Sequence, residues 1–199
     1  TEAANQVTCN PLPPARRKPG TVGVGAGIEV AIMDWQGGLL PPCTAGEIVV
    51  RGASVMHGYH NNATANLAAF RDGWFRTGDI GYLDEEGYLT VDGRIKDLII
   101  RGGENISPAE VDAVLLGHPA VADAVCFGVP DEKYGEEIHA AVILKNAADA
   151  KELRDFLSAR LAAFKVPKVI HITDSLPRTA TNKVQRHLIA ARFGGGRQA

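Results

Sequence analysis

The spacing of apolar positions divides the chain into two textures. From Val22 to Val91 the apolar stretches are short and turns are frequent. Ile28, Val30 and Ile32 alternate with Glu29 and Ala31, the period-two pattern of a half-buried strand. Gly37-Gly38 turns the chain, and Glu47 to Arg51 makes a second strand closed by Gly52. Ala63 to Phe70 fits one short helix, and Gly73 to Gly81 is dense in glycine and aromatics. Tyr82-Leu83 and Tyr88 to Val91 flank Asp84-Glu85-Glu86-Gly87, which reads as a hairpin turn. Residues 20–93 therefore predict a small β-barrel or sandwich, preceded by a Pro-rich loop over residues 1–20.

Beyond Arg94 helical periods appear. Leu98, Ile99 and Ile100 form an apolar strand, and the bare turn Gly102-Gly103 leads into a helix beginning at Ser107. Ser107 and Glu110 have capping-box spacing, and Pro108 takes the first helical position, where its missing N–H costs nothing. Val111, Val114 and Leu115 share a face, and Gly117-His118-Pro119 stops the helix. Val121 to Val129 and Ile138 to Leu144 read as strands around the turn-rich PDEKYGE. Asp149 to Phe164 predicts an amphipathic helix, with Leu153, Phe156, Leu157 and Leu161 inward and Asp149 with Glu152 as its start. A strand over Lys168 to Thr173, the polar loop PRTATNK and a helix from Val184 to Phe193 complete an α+β half. The boundary between the halves falls at Arg94 to Asp97.

Composition narrows the function. With 199 residues and 45% apolar content the chain holds one medium domain or two small ones. A net charge of −2 gives no basic field for nucleic acid or an anionic membrane, and no apolar run is long enough to span a bilayer. Cys9, Cys43 and Cys126 are scattered and lack metal-ligand spacing, which points to a reducing compartment and buried or inert thiols. The six histidines show no paired spacing, so none is assigned a role. The chain starts at Thr1, as an internal or processed piece would, and its GGGRQA end lacks the S-K-L address.

Several residues carry two readings. Asp79, after Thr77-Gly78, is either a turn aspartate bonding its own backbone or a carboxylate able to accept both hydroxyls of a ribose. Arg94 and Lys96 are either a solvated pair or nucleotide contacts at a domain boundary. Lys183 is either a solubilising loop lysine or an ammonium swung toward a phosphate. Glu2 is either solvated or a ligand for Mg²⁺, a hard ion that takes carboxylate oxygen.

Taken together and in order, TE at 1–2, GWFRTGD at 73–79, GRIKDLIIRGGENISPAEVD at 93–112, GVPDEKYGE at 128–136, FKVPK at 164–168 and PRTATNK at 177–183 resemble the adenylate-forming superfamily. The resemblance covers essentially the whole chain. It is greatest to the acyl-CoA synthetase branch near 4-coumarate–CoA ligase, and within that to the plant and fungal oxalate–CoA ligase type. It implies the end of a large AMP-binding domain (1–93, β-rich), a hinge (94–97) and a small α+β lid domain (98–199), here a C-terminal fragment inactive alone. It implies ATP, Mg²⁺ and CoA as cofactors, and a small carboxylic acid, oxalate first and an aromatic or medium-chain acid second, as substrate. Oligomeric state is left open, and the compartment is cytoplasmic with peroxisomal as the alternative. Residue by residue it implies Glu2 as metal ligand, Thr1, Asp79 and Arg94 as nucleotide contacts and Lys96 as hinge. It further implies Lys183 as the catalytic lysine and Gly102, Gly103, Phe164 and Lys168 as CoA contacts. One departure is Asn182, which stands where the family has glycine; with the missing upstream part it supports the alternative of a non-catalytic adenylate- or CoA-binding relative.

Overall fold

The computed structural model describes residues 1–4, 6–180 and 184–194. Its contacts divide the chain after Lys96 into a first unit, Thr1–Lys96, and a second, Asp97–Ala199.

The first unit runs β1 (Thr8–Cys9), β2 (Val24–Gly25), β3 (Glu29–Met33), β4 (Gly46–Arg51), α1 (Ala63–Ala69), β5 (Phe70–Arg71), β6 (Trp74–Leu83) and β7 (Leu89–Arg94). The expected β-rich body takes the form of a five-stranded antiparallel sheet with the β1–β2 ribbon beside it. The ribbon is tied to β7 where Leu89 N–H donates to the Gly23 carbonyl at 2.8 Å. Strand β6 is the spine. It pairs with β4 on one side, and on the other with β5 near its start and β7 near its end. The alternation in β4 shows why this sheet is stable. Ile48 packs with Ile32 and Leu89, Val50 packs with Ile28 and Phe75, and Val49 faces the opposite way onto Met33 and Trp74. Asn62 caps α1 by accepting the Ala65 N–H at 3.1 Å.

A 3-10 turn, Ile95–Asp97, carries the chain into the second unit. There follow β8 (Ile99–Arg101), β9 (Glu104–Ile106), α2 (Pro108–Leu116), β10 (Val121–Asp131), β11 (Gly135–Leu144), α3 (Ala150–Ser158), β12 (Val169–Ile172) and α4 (Arg186–Gly194). Strand β11 is central, antiparallel to β10 and β8 and parallel to β12. Strand β10 is buried on both faces. Ala124 and Cys126 join the cluster formed with α2 and α3 through Val111, Leu115, Leu153 and Leu157. Val125, Phe127 and Val129 join the cluster formed with α4 through Ile189. That accounts for the nearly unbroken apolar run of this strand.

Three local expectations are corrected. The Gly102-Gly103 turn does not feed the helix directly. It closes a β8–β9 hairpin, because Ile106 is fully buried opposite Ile99 and holds a short strand between turn and helix. Ser107 stands at the N-cap of α2 without a side-chain cap bond, so the capping box is not formed. Its expected partner Glu110 instead takes the Lys165 ammonium at 2.7 Å. The helix predicted from Asp149 to Phe164 stops at Ser158. The Arg160 and Leu161 amides fold back onto the Leu157 carbonyl, and a 3-10 turn at Ala163–Lys165 follows. Leaving the helix axis here lets Leu161 and Val166 both reach the cluster under α2 and α3. The start signal of α3 is as expected, with the Asp149 carboxylate accepting the Glu152 N–H at 2.8 Å.

Candidate functional site

In the first unit the chemistry gathers along the middle of β6. Opposite β4 the register shifts between Glu47 and Val49, so β6 carries extra residues there. Gly78 takes φ +72°, a conformation side chains rarely adopt, and with it Thr77-Gly78-Asp79 forms a bulge within a strand. This replaces the turn aspartate of the sequence reading. The bulge is heavily braced. Glu47, only 3% exposed, receives Arg76 Nη2 at 2.6 Å and Nε at 2.7 Å on one oxygen, and the Gly78 N–H at 3.1 Å on the other. The Thr77 hydroxyl donates to the Ile48 carbonyl at 2.7 Å and accepts the Asp79 N–H at 3.0 Å.

Past the bulge, Asp79 lies directly across from Arg94 on β7, and Arg94 Nε donates to Asp79 Oδ1 at 2.8 Å. The two residues that sequence reading placed at a nucleotide are thus neighbours. A carboxylate has lone pairs enough for a guanidinium and a diol together. Beside them is a cavity of about 540 Å³ whose lining includes Tyr59, Arg76, Thr77, Gly78, Arg94 and Lys96. Tyr59 connects this cavity to Glu2, since its hydroxyl donates to Glu2 Oε1 at 3.4 Å. Burial, with Glu2 adding to it, pushes the Tyr59 phenol above its ordinary range. Glu2 is anchored by its backbone, whose carbonyl accepts the Met56 N–H at 2.8 Å. Thr1 is exposed. Among the described residues no cluster of three metal-ligating side chains exists. A lone carboxylate fits Mg²⁺, which commonly takes one or two carboxylates and completes its shell with substrate phosphates and water.

The second unit holds a different arrangement. Gly102 and Gly103 both have positive φ, +59° and +89°, as a two-residue hairpin turn between right-twisted strands demands. A Cβ on Gly103 would meet nothing within 4 Å, so this edge is bare backbone. The adjoining Arg101 lies over the Tyr134 ring at 4.4 Å and pairs with the buried Glu137 at 2.5 Å. Burial acts to raise the Glu137 carboxyl, but the Arg101 bond and the Ile138 N–H outweigh it and hold the group below its usual range. The Lys133 contact lowers the Tyr134 phenol in turn. Arg101, Tyr134, Glu137, Arg154, Ser158 and Lys168 contribute to the lining of a second cavity of about 510 Å³. Lys168 stands 3.6 Å from both Asp131 and Glu137. Phe164 is exposed on the 3-10 turn and does not line this cavity. Lys183 and Asn182 lie outside the described residues.

Sequence reading missed Glu47, Arg76, Tyr59, Arg101 and Arg154. Arg76 and Arg101 carried a signal, the one inside GWFRTGD and the other beside the glycine pair; the others depend on strand register and on how the chain folds back. It also missed a histidine pair. His139 on β11 and His171 on β12 lie 3.2 Å apart between ring nitrogens; His171 stacks between Phe127 and Phe193, and His139 meets Phe127 edge-on. Burial lowers both imidazoles, and for His139 the second ring adds to the effect. Of the thiols, Cys126 is fully buried and burial pushes it well up, whereas Cys9 is half-buried and Cys43 is exposed.

Comparison with known proteins gives consistent neighbours. Residues 1–60 match the family described as AMP-binding enzyme, and residues 110–183 match AMP-binding enzyme C-terminal domain. Over 97% of its length the chain is 56% identical to a probable CoA ligase, CCL9, of Humulus lupulus, covering 37% of that protein. It is 54% identical to oxalate–CoA ligase of Arabidopsis thaliana, covering 97% of this chain and 38% of that one. The chain therefore spans well under half the length of these relatives. Among solved structures, ATP-bound MatB from Rhodopseudomonas palustris superposes with a TM-score of 0.90 at 34% identity, over 97% of this chain and 39% of that one. The Bacillus subtilis o-succinylbenzoate CoA synthetase (MenE) with its acyl-adenylate intermediate superposes with a TM-score of 0.80 at 46% identity, over 86% and 36%.

Proposed function

Because this chain belongs to the adenylate-forming family of AMP-binding enzymes, on the acyl-CoA synthetase branch, we propose that the complete protein is an ATP-dependent acid–CoA ligase with oxalate as its acid. A carboxylate oxygen attacks the α-phosphorus of ATP and pyrophosphate leaves with the electron pair of the broken P–O bond. The CoA thiolate then attacks the acyl carbon of the adenylate and AMP leaves. The observation that carries this reading is the Asp79–Arg94 pair, set across two strands beside the 540 Å³ cavity.

In this reading Asp79 accepts the ribose hydroxyls, Arg94 holds the Asp79 carboxylate in place, and Thr1 touches the phosphate side of the nucleotide. Glu2 holds Mg²⁺ with the polyphosphate, and the metal when bound screens the phosphate charge. The Lys183 ammonium stabilises the charge that builds between carboxylate and phosphate. Lys96, the last residue of the first unit, is the hinge about which the second unit reorients between half-reactions. Gly102 and Gly103 then let the pantetheine arm pass against backbone, with Lys168 and Phe164 toward the CoA nucleotide. Oxalate is favoured by the 54% identity to the Arabidopsis oxalate–CoA ligase. A reducing compartment, cytosol before peroxisome, suits three free thiols.

The test is pyrophosphate release by the complete protein with oxalate, 4-coumarate and hexanoate, each with and without CoA. Turnover with oxalate that needs CoA for thioester formation, and loss of the first half-reaction in Lys183→Ala, are the expected results. No turnover with any acid would refute the ligase reading, and turnover with 4-coumarate or hexanoate alone would refute the substrate.

A further inference from the structure

We propose that Glu47 is a positioning residue for nucleotide recognition, acting through the bulge that carries Asp79; the proposal rests on the reading of Asp79 as the ribose ligand. A buried carboxylate is costly unless it is paired and fully bonded, so a Glu at 3% exposure inside a sheet calls for an explanation. Its bonds supply one. The Arg76 guanidinium fixes one oxygen through two nitrogens, and the other oxygen receives the Gly78 amide at the point where β6 departs from regular pairing. A regular ladder would have no need of this contact. In the bulge the Gly78 N–H has turned toward a side chain, and Glu47 provides the acceptor.

The consequence falls on the next residue. With Gly78 held from β4 and the Asp79 amide held by the Thr77 hydroxyl, the chain entering Asp79 is fixed at two successive amides before its carboxylate meets Arg94. Glu47 and Arg76 also line the cavity beside which this happens. Charge matters as well as shape. Glutamine at 47 has an acceptor for Gly78 but turns an amide N–H₂ toward Arg76, leaving that guanidinium without its anion. The bulge then has to shift to relieve the conflict, and Asp79 shifts with it.

The test compares wild type, Glu47→Gln, Thr77→Val and Asp79→Ala in the complete protein. Pyrophosphate release is measured with ATP, 2′-deoxy-ATP and 3′-deoxy-ATP, and thermal melting is followed in parallel. Wild type is expected to prefer the full ribose, and Asp79→Ala to lose that preference. Glu47→Gln is expected to raise KM for ATP about tenfold, with kcat changed less than about threefold, and to shrink the ribose preference by a similar factor. Thr77→Val loosens the same bulge from its other side without a buried charge, and keeps the test open if Glu47→Gln folds poorly. It is expected to give the same signature at smaller size. If both variants keep the wild-type ribose preference while Asp79→Ala loses it, Glu47 is a structural residue only and the proposal is overturned. If Asp79→Ala itself keeps the preference, the ribose reading fails and the positioning role falls with it.

Discussion

Arg186 opens the last helix, and replacing it by leucine should cost the second unit about 3 kcal/mol. Its guanidinium donates to Asp112 Oδ2 at 2.5 Å and to the Cys126 carbonyl at 2.6 Å, and Asp112 Oδ1 accepts the Cys126 N–H at 2.5 Å. One cation thus joins α2, β10 and α4. The Asp112 side chain is 14% exposed and that of Arg186 25%. Removing one member of a buried pair costs about 3–5 kcal/mol, and the partial exposure of the arginine places this case at the lower end. The pH dependence follows from Asp112. Burial raises its carboxyl above the ordinary range even with Arg186 opposing, and the leucine variant removes that opposition. The folded state then holds the proton more tightly than the unfolded chain. Stability therefore falls as pH rises from the unfolded value through the folded one. The penalty should be largest near neutrality and shrink as pH falls toward the ordinary value of an unfolded carboxylate. Both tryptophans, Trp35 and Trp74, belong to the first unit, so the second unit carries no tryptophan to report this event. Hydrogen exchange of peptides from β10 and α4 is the suitable assay, and a rise in opening of about a hundredfold is expected at neutral pH. A rise of less than about fivefold, or one independent of pH, would refute the reasoning.

The histidine pair should act in the opposite sense. His139 and His171 have depressed folded values, so the stability they allow is fully present above about pH 6.5 and is lost as pH falls through the folded values. Exchange of α4 peptides should accelerate on acidification, and the His139→Leu/His171→Phe variant should flatten that slope. Lys96→Pro, which fixes φ inside the 3-10 turn, should spare adenylation and slow thioester formation in the complete protein. Equal loss of both half-reactions would count against a hinge there. Gly103→Val, at φ +89° with open space around it, should cost about 1–2 kcal/mol by strain alone and slow only the CoA-dependent step. Separate assay of the two half-reactions decides this.

The sequence was most readable where one residue pattern had one structural solution. The β10–β11 hairpin, α1, the Asp149 cap and the change of texture near Arg94 needed only alternation, caps and glycine. The family motifs located Asp79 and Arg94, and strand pairing then brought them together. What escaped depended on three dimensions. Glu47 and Arg76 are 29 residues apart and meet because β4 and β6 lie side by side in the sheet, with the register shift adding the Gly78 amide to the pair. His139 and His171 meet because β11 and β12 run parallel, a relation that no spacing encodes. Capping-box spacing misled because Lys165, 55 residues further on, competes for Glu110. The overlong helix prediction failed for a related reason. Leu161 keeps the helical period, yet its burial is achieved by a turn.

The two-sided burial of β10 limits how this protein can vary in length. Its small residues Ala124 and Cys126 point one way and its bulky Val125, Phe127 and Val129 the other. Deleting one residue upstream of them would exchange the two sets, driving a phenyl ring into space sized for a thiol and leaving a void beneath α4. Changes of length inside β10 are thus excluded, and the strand itself varies by substitution alone.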